Sequence, residues 1–215
     1  MVPALSALVV HDLKNRLAVH EQRLTELLAL HPALASELGA LRTDAVALQR
    51  RLVAFLTLYR DDAHRLAVNE QEEDPVRALA QAAQFARTIA VRHDIAIEID
   101  ASRAPSVWFF DAYLIGLALE AAVDNATRYA RSRIRLSARC EDGWLVLAVE
   151  DDGPGLDGEA ITTNGSVQTG LGIELCRTVA RLHTNDGRNG ELQLVDLRDA
   201  AGKTASGARF ELRLP

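Results

Sequence analysis

"RIRLSARCEDGWLVLAVEDDGPGLDG" (133–158) contains two alternating runs separated by Glu141-Asp142-Gly143, then an acid pair followed by glycines. An Asp-Gly step between alternating runs is a hairpin signal, so 133–140 and 144–151 read as antiparallel strands. Side chains alternate across a strand, which puts Leu145, Leu147, Val149 and Asp151 on one face. If that face is the core, Asp151 is a carboxylate at the buried end of a strand and needs hydrogen-bond donors. Turn amides could supply them as well as a ligand could, so this stretch alone leaves a structural and a ligand-binding acid both open. Gly153 and Gly155 either let a ligand approach the backbone or simply make the turn. "GPGLDG" (153–158) also matches G-x-G-x-x-G after a strand. It does not open a helix and no βαβ unit surrounds it, so a dinucleotide fingerprint is rejected.

The neighbouring segments extend the pattern. Asp74-Pro75 places an N-cap acid before proline at the first helical position, starting a helix that runs to about Val91. "IAIEID" (95–100) reads as a strand. "FDAYLIGLALEAAVDNATRYA" (110–130) is a long helix capped by Asp111. A Gly-, Thr- and Asn-rich loop (153–169) precedes a helix at 171–183, and two strands follow, the last in "ARFELRLP" (208–215). Helices interleave with strands that short turns connect, which predicts an α+β fold: an α/β sandwich with helices on one face of a mixed sheet.

The N-terminal part has a different period. Leu34, Leu38, Leu41, Ala45, Leu48, Leu52, Phe55 and Tyr59 alternate spacings of four and three, the 3.5-residue repeat of a supercoiled seam. Val10, Leu13, Leu17, His20, Leu24 and Leu27 keep the same rhythm less cleanly, and His31-Pro32 separates the two stretches. This predicts an antiparallel helical hairpin, about Ala4–Leu30 and Ala33–Asp61. Two helices cannot enclose so long a seam, so a homodimer forming a four-helix bundle is expected. The expected domains are 1–62 (dimerisation hairpin), 63–73 (polar linker) and 74–215 (sandwich).

Composition narrows the function classes. The 215 residues carry a net charge of −6, which argues against a nucleic-acid-binding surface. Cys140 and Cys176 have no metal-ligand spacing and suit a reducing compartment. No apolar run approaches the roughly 18 residues of a membrane span and no leader pattern opens the chain, so a soluble cytoplasmic protein is expected, signalled to through a partner.

Three further stretches carry chemistry. "TGLGIELCRTVARLH" (169–183) puts Gly170 and Gly172 at a helix start, where bare backbone amides suit phosphate; a plain loop-to-helix junction is the alternative. On the long helix, Ala121, Asn125 and Arg128-Tyr129 share a face, offering an oxygen to a hard cation, a charge for phosphate, and a ring. "HDLKN" (11–15) places His11-Asp12 and Asn15 one turn apart, with His11 one residue off the apolar seam and so facing solvent. His20 falls on that seam and reads as a core-edge residue; His183 ends a helix, where a polar group is favourable.

Together these stretches resemble, in order, the boxes of histidine kinases. "HDLKNRL" is similar to the phospho-acceptor box, "DNATRYA" to the Asn box, "DDGPGL" and "TGLGIELC" to the two glycine boxes. "GELQL" and "GARFELRLP" resemble the closing strands of the ATP-binding domain type shared with DNA gyrase. The resemblance implies that His11 is the phosphorylated nucleophile, Asp12 the acid that takes its proton, and Asn15 a residue that orients water during dephosphorylation of a partner. It implies ATP and Mg²⁺ as cofactors, with Asn125 as the metal ligand, Arg128 near the phosphates and Tyr129 beside adenine. Asp151 would accept from the adenine amino group, and Gly153, Gly155, Gly170 and Gly172 would shape the pocket. The implied partner is a response-regulator receiver domain, whose aspartate takes the phosphoryl group.

Phosphoryl transfer depends on positioning and charge neutralisation, which these groups supply. Three departures from the family pattern stand out: Arg16 where proline usually follows the box, Ala121 where Asn or Glu is common, and a short 157–169 loop. They keep two other readings open: a dimeric histidine phosphotransferase with a degenerate nucleotide domain, and an ATP-gated or phosphatase-biased regulator of a receiver.

Overall fold

The two runs around Asp142-Gly143 do pair as an antiparallel hairpin, and one of them is the central strand of the sheet. A computed structural model describes residues 16, 19–20, 22–31, 34–62, 66–90, 94–156, 170–197 and 206–215. The chain divides into two units, Met1–Leu66 and Ala67–Pro215.

The first unit contains helix α1 (22–30) and helix α2 (Ala35–Asp62), with the break where the sequence places His31-Pro32. His31 N–H donates to Leu27 O and Leu34 N–H to His31 O, which closes the end of α1 and opens the next helix. The predicted seam is not buried within one chain: Leu34, Leu41, Leu48 and Phe55, seven residues apart, are 45%, 57%, 54% and 47% exposed. Among the described side chains of α2, Ala54, Leu56 and Thr57 are buried. His20, read as a core-edge residue, is exposed in the single chain. No helix among the described residues is long and apolar enough to cross a membrane.

The second unit runs β1 (Gln71–Glu73), α3 (Pro75–Ala90), β2 (Ala96–Arg103), β3 (Trp108–Phe110), α4 (Ala112–Tyr129), β4 (Arg133–Glu141) and β5 (Trp144–Asp151). It continues with α5 (Leu171–Leu182), β6 (Thr184–Asn185), β7 (Arg188–Asn189), β8 (Glu191–Asp196) and β9 (Ala208–Leu214). The main sheet has the order β2-β4-β5-β9-β8; β2 and β4 are parallel and the other neighbours antiparallel, so the sheet is mixed as predicted. Both Asp142 and Gly143 have positive φ (53° and 75°), the conformation a two-residue hairpin turn favours.

Helices α3, α4 and α5 pack on this sheet. Leu79, Ala82, Ala83 and Ala86 recur at helical spacing on the buried face of α3, and Leu114, Ile115, Ala118, Leu119, Ala122, Val123 and Ala126 do so on α4. The many alanines let the two helices approach closely. They meet Ile134, Leu136, Leu145, Leu147, Val149, Leu212 and Leu214 from the sheet, all buried. Cys176 belongs to this core; burial pushes its thiol up to about 12, so it stays protonated.

Strict alternation does not describe β5, because Val146 and Ala148 on its other face are also fully buried. They lie in register with Arg139 and Arg213, and with Ser137 and Glu211. Arg139 bonds Glu141 (2.9 Å) and Glu211 (3.0 Å), while Arg209 reaches Glu150 (3.0 Å) and Glu211 (3.6 Å). The aliphatic stems of such long side chains can cover apolar surface.

Part of the stretch expected as linker is a strand. β1 pairs antiparallel with β3, from Gln71↔Phe110 to Glu73↔Trp108, and Asn69 N–H donates to Asp111 Oδ2 (2.9 Å). Three polar residues carry no periodicity, so only the partner strand reveals them. Asp111 caps α4 as predicted, accepting from Tyr113 and Leu114 N–H at 3.0 Å each. Asp74 likewise accepts from Val76 N–H at the start of α3 (2.8 Å).

His183 does more than end a helix. It is 2% exposed, and its Nε2 accepts from Asp111 N–H (3.0 Å) while Nδ1 lies 2.7 Å from Val179 O. The amide can only donate and the carbonyl only accept, so the proton sits on Nδ1. His183→Ala is expected to lower the unfolding free energy of this unit by about 2–4 kcal/mol, from a cavity and two stranded backbone groups. Urea denaturation followed by tryptophan fluorescence measures this selectively, because both tryptophans, Trp108 and Trp144, lie in this unit.

Candidate nucleotide-binding site

Two segments of the second unit meet at the C-terminal end of α4, and a third meets that helix at Ala121. The long helix ends at Tyr129, and the cap residue Ala130 leaves helical geometry with its N–H on Ala126 O. On the exposed side of its last two turns stand Asn125 and Arg128, with Tyr129 half-buried and Ala121 half-buried one turn earlier. These are the four positions the sequence placed on one face.

The end of β5 lies against the end of this helix. Asp151 is buried, 8% exposed, and its Oδ1 accepts from Gly153 N–H (2.8 Å). Ala208 N–H, at the start of β9, is a second backbone donor to the same carboxylate. Burial raises the Asp151 carboxyl above its ordinary value, opposed by these two amides. So the turn amides foreseen as one alternative are present, and they orient a buried acid whose lone pairs are not exhausted by two donors.

Gly153 has no room for a side chain: an added Cβ would overlap the Tyr129 carbonyl oxygen and come within 2.7 Å of Asp151 Oδ1. The glycine thus lets the β5 end pack directly on the last turn of α4. Gly155 follows with φ 91°.

The third segment is the start of α5. Gly170 is its N-cap in the left-handed conformation (φ 62°) and offers no side-chain cap, which leaves first-turn amides pointing out of the helix end. Gly172 approaches α4, its missing Cβ position lying 3.8 Å from Ala121 Cβ. The position where a larger polar residue was expected is therefore in contact with the opening turn of α5.

His11, Asp12 and Asn15 lie outside the described residues, as does the 157–169 loop. Two features of the site were not foreseen from the sequence. Arg128 Nη2 is bonded to Asp124 Oδ2 at 2.5 Å, so the cation assigned to phosphate is held by its own helix. Gly207 (φ 151°) packs on the backbone of Asp151, where an added Cβ would overlap the Asp151 carbonyl oxygen. The i, i+4 spacing of Asp124 and Arg128 could have disclosed the first; the second depends on the β5–β9 pairing.

A mixed sheet packed with helices, an acid at the end of its central strand and a glycine-capped helix against α4 make an α/β sandwich. Residues 111–215 match the family described as histidine kinase-, DNA gyrase B-, and HSP90-like ATPase. The chain carries a catalytic ATP-binding core of the histidine-kinase type. It is 24% identical over 184 residues to the sensor protein SrrB of Staphylococcus aureus, covering 78% of this chain and 29% of that protein. The chain thus spans about three-tenths of the length of that curated relative. Its fold is similar to the histidine kinase AdeS of Acinetobacter baumannii (TM-score 0.62, 19% identity, 91% of this chain and 96% of that one). It is also similar to full-length ShkA in complex with AMPPNP (TM-score 0.69, 20% identity, 100% of this chain and 46% of that one).

Proposed function

We propose that this protein is an ATP-dependent protein-histidine kinase that phosphorylates itself on His11 and passes the phosphoryl group to an aspartate of a response-regulator receiver domain. The observation that carries the reading is the buried Asp151, held by Gly153 and Ala208 amides beside Tyr129. Such a carboxylate suits an amino group on a purine edge, and Tyr129, whose carbonyl oxygen abuts Gly153, would supply a ring. Asn125, exposed one turn before Tyr129, would hold Mg²⁺, which supplies charge neutralisation at the phosphates. The uncapped first turn of α5 at Gly170 and Gly172 offers amides to phosphate oxygens.

In the proposed reaction a neutral His11 ring nitrogen attacks the γ-phosphorus of ATP. The nitrogen–phosphorus bond forms, the bond to the bridging oxygen breaks, and ADP leaves. Asp12 takes up the imidazole proton and Asn15 orients water when a receiver is dephosphorylated. The exposed heptad row Leu34, Leu41, Leu48 and Phe55 supports a homodimer through the N-terminal helices.

A second reading, a phosphotransferase whose nucleotide domain has lost catalysis, draws support from Ala121 and from the Asp124–Arg128 pair. One experiment separates the two. With labelled ATP and Mg²⁺, the parent protein is expected to acquire acid-labile, base-stable phosphate, and His11→Ala none. A parent that neither binds ATP nor is labelled, yet accepts phosphate on His11 from a phosphorylated receiver, would favour the second reading.

A further inference from the structure

Asp152, the second acid of Asp-Asp-Gly, has no role in the reading above, yet it is the most heavily bonded side chain near the site. Its Oδ1 accepts from Arg131 N–H (2.8 Å), Ser132 N–H (3.1 Å) and Arg133 N–H (3.1 Å). Its Oδ2 accepts from the Ser132 hydroxyl (2.7 Å) and lies 3.1 Å from Ser132 N, and its own N–H donates to Arg133 O (3.3 Å). Those donors hold the Asp152 carboxyl far below the usual carboxylate range, so it is a permanent anion. The adjacent Asp151 is shifted the other way by burial. Two neighbouring acids thus have opposite environments.

The residues Asp152 binds are the turn between α4 and β4 and the first residue of β4. That turn begins where α4 ends, next to the Tyr129 carbonyl on which Gly153 packs. Asp152 therefore ties the end of β5, carrying Asp151, to the end of α4, carrying Asn125, Arg128 and Tyr129. We propose that Asp152 is a positioning residue for base recognition: its clasp on the 131–133 turn sets the register of Asp151 against Tyr129 and so determines selection of adenine. The proposal rests on the nucleotide-binding reading.

The test is titration calorimetry of ATP and of GTP, each with Mg²⁺, on the full chain and three variants, with melting curves confirming folded protein. In Asp152→Ala, ATP binding is expected to weaken about 10-fold and the preference for ATP over GTP to shrink by a similar factor, as a register error costs recognition rather than general binding. Asp152→Asn keeps the Oδ1 acceptor, and the Ser132 hydroxyl can turn to accept from its amide, so it should stay within about 3-fold of the parent. Ser132→Ala removes only one bond of the clasp and should shift both quantities in the same direction by about 2- to 3-fold. This milder variant decides the matter if Asp152→Ala does not fold.

Folded variants that keep the parent's ATP affinity and ATP:GTP preference would overturn the proposal. So would equal weakening for both nucleotides, which would mark the clasp as a stability element alone. A parent that binds neither nucleotide would overturn the nucleotide-binding reading itself, and this inference with it.

Discussion

Asp151→Asn is expected to weaken ATP binding by about 10- to 100-fold while leaving the melting temperature equal or higher. The loss follows from replacing half of an ionised acceptor by an amide donor, where a hydrogen bond to a charged group contributes about 1.5–3 kcal/mol. The stability follows from the burial that raises the Asp151 carboxyl. A folded-state value above the unfolded one means that the native protein binds this proton first on acidification. Above the raised value the ionised group opposes folding, and that opposition disappears as pH falls towards the ordinary carboxylate range. Asparagine is neutral throughout, and its carbonyl oxygen at the Oδ1 position still accepts from Gly153. Calorimetric ATP titration and a melting curve on one preparation test both halves. An affinity unchanged by Asp151→Asn would remove Asp151 from the binding site.

Gly153→Ala is expected to abolish measurable ATP binding and to lower the unfolding free energy of the C-terminal unit by about 2–4 kcal/mol. The added methyl would overlap the Tyr129 carbonyl oxygen and approach Asp151 Oδ1 to 2.7 Å. Relief would require moving either the backbone of β5 or the last turn of α4, and both carry site residues. The change thus reaches stability and binding through one contact. Urea denaturation followed by tryptophan fluorescence, beside ATP titration, measures the two effects. A normal affinity in a folded Gly153→Ala protein would mean that the β5 end and α4 move independently.

The elements that a periodic pattern or a turn residue marks were legible before any coordinates. The caps at Asp74 and Asp111, the Asp142-Gly143 turn and the long helices α3 and α4 fall where local chemistry places them. The placement of several candidate residues was legible for the same reason: Asn125 and Arg128 share an exposed helix face, and Gly170 opens α5. Other features have no local signature. β1 is three polar residues that become a strand only through β3. Val146 and Ala148 are buried on the face that alternation leaves to polar residues, in register with Arg139, Arg213 and Glu211 of the neighbouring strands. His183 looked like an ordinary helix terminus until Asp111, 72 residues away, supplied a donor to it.

By itself, the sequence determined the α+β class, the order of the boxes and the identity of the acid at the end of the central strand. Each of these depends on residues a few positions apart, whose backbone preferences and spacing act locally. Only the tertiary structure decided which acid of Asp151-Asp152 is buried beside Tyr129 and which clasps a turn. Their environments come from segments some twenty to sixty residues away, and hydrogen bonding and burial act through space rather than along the chain.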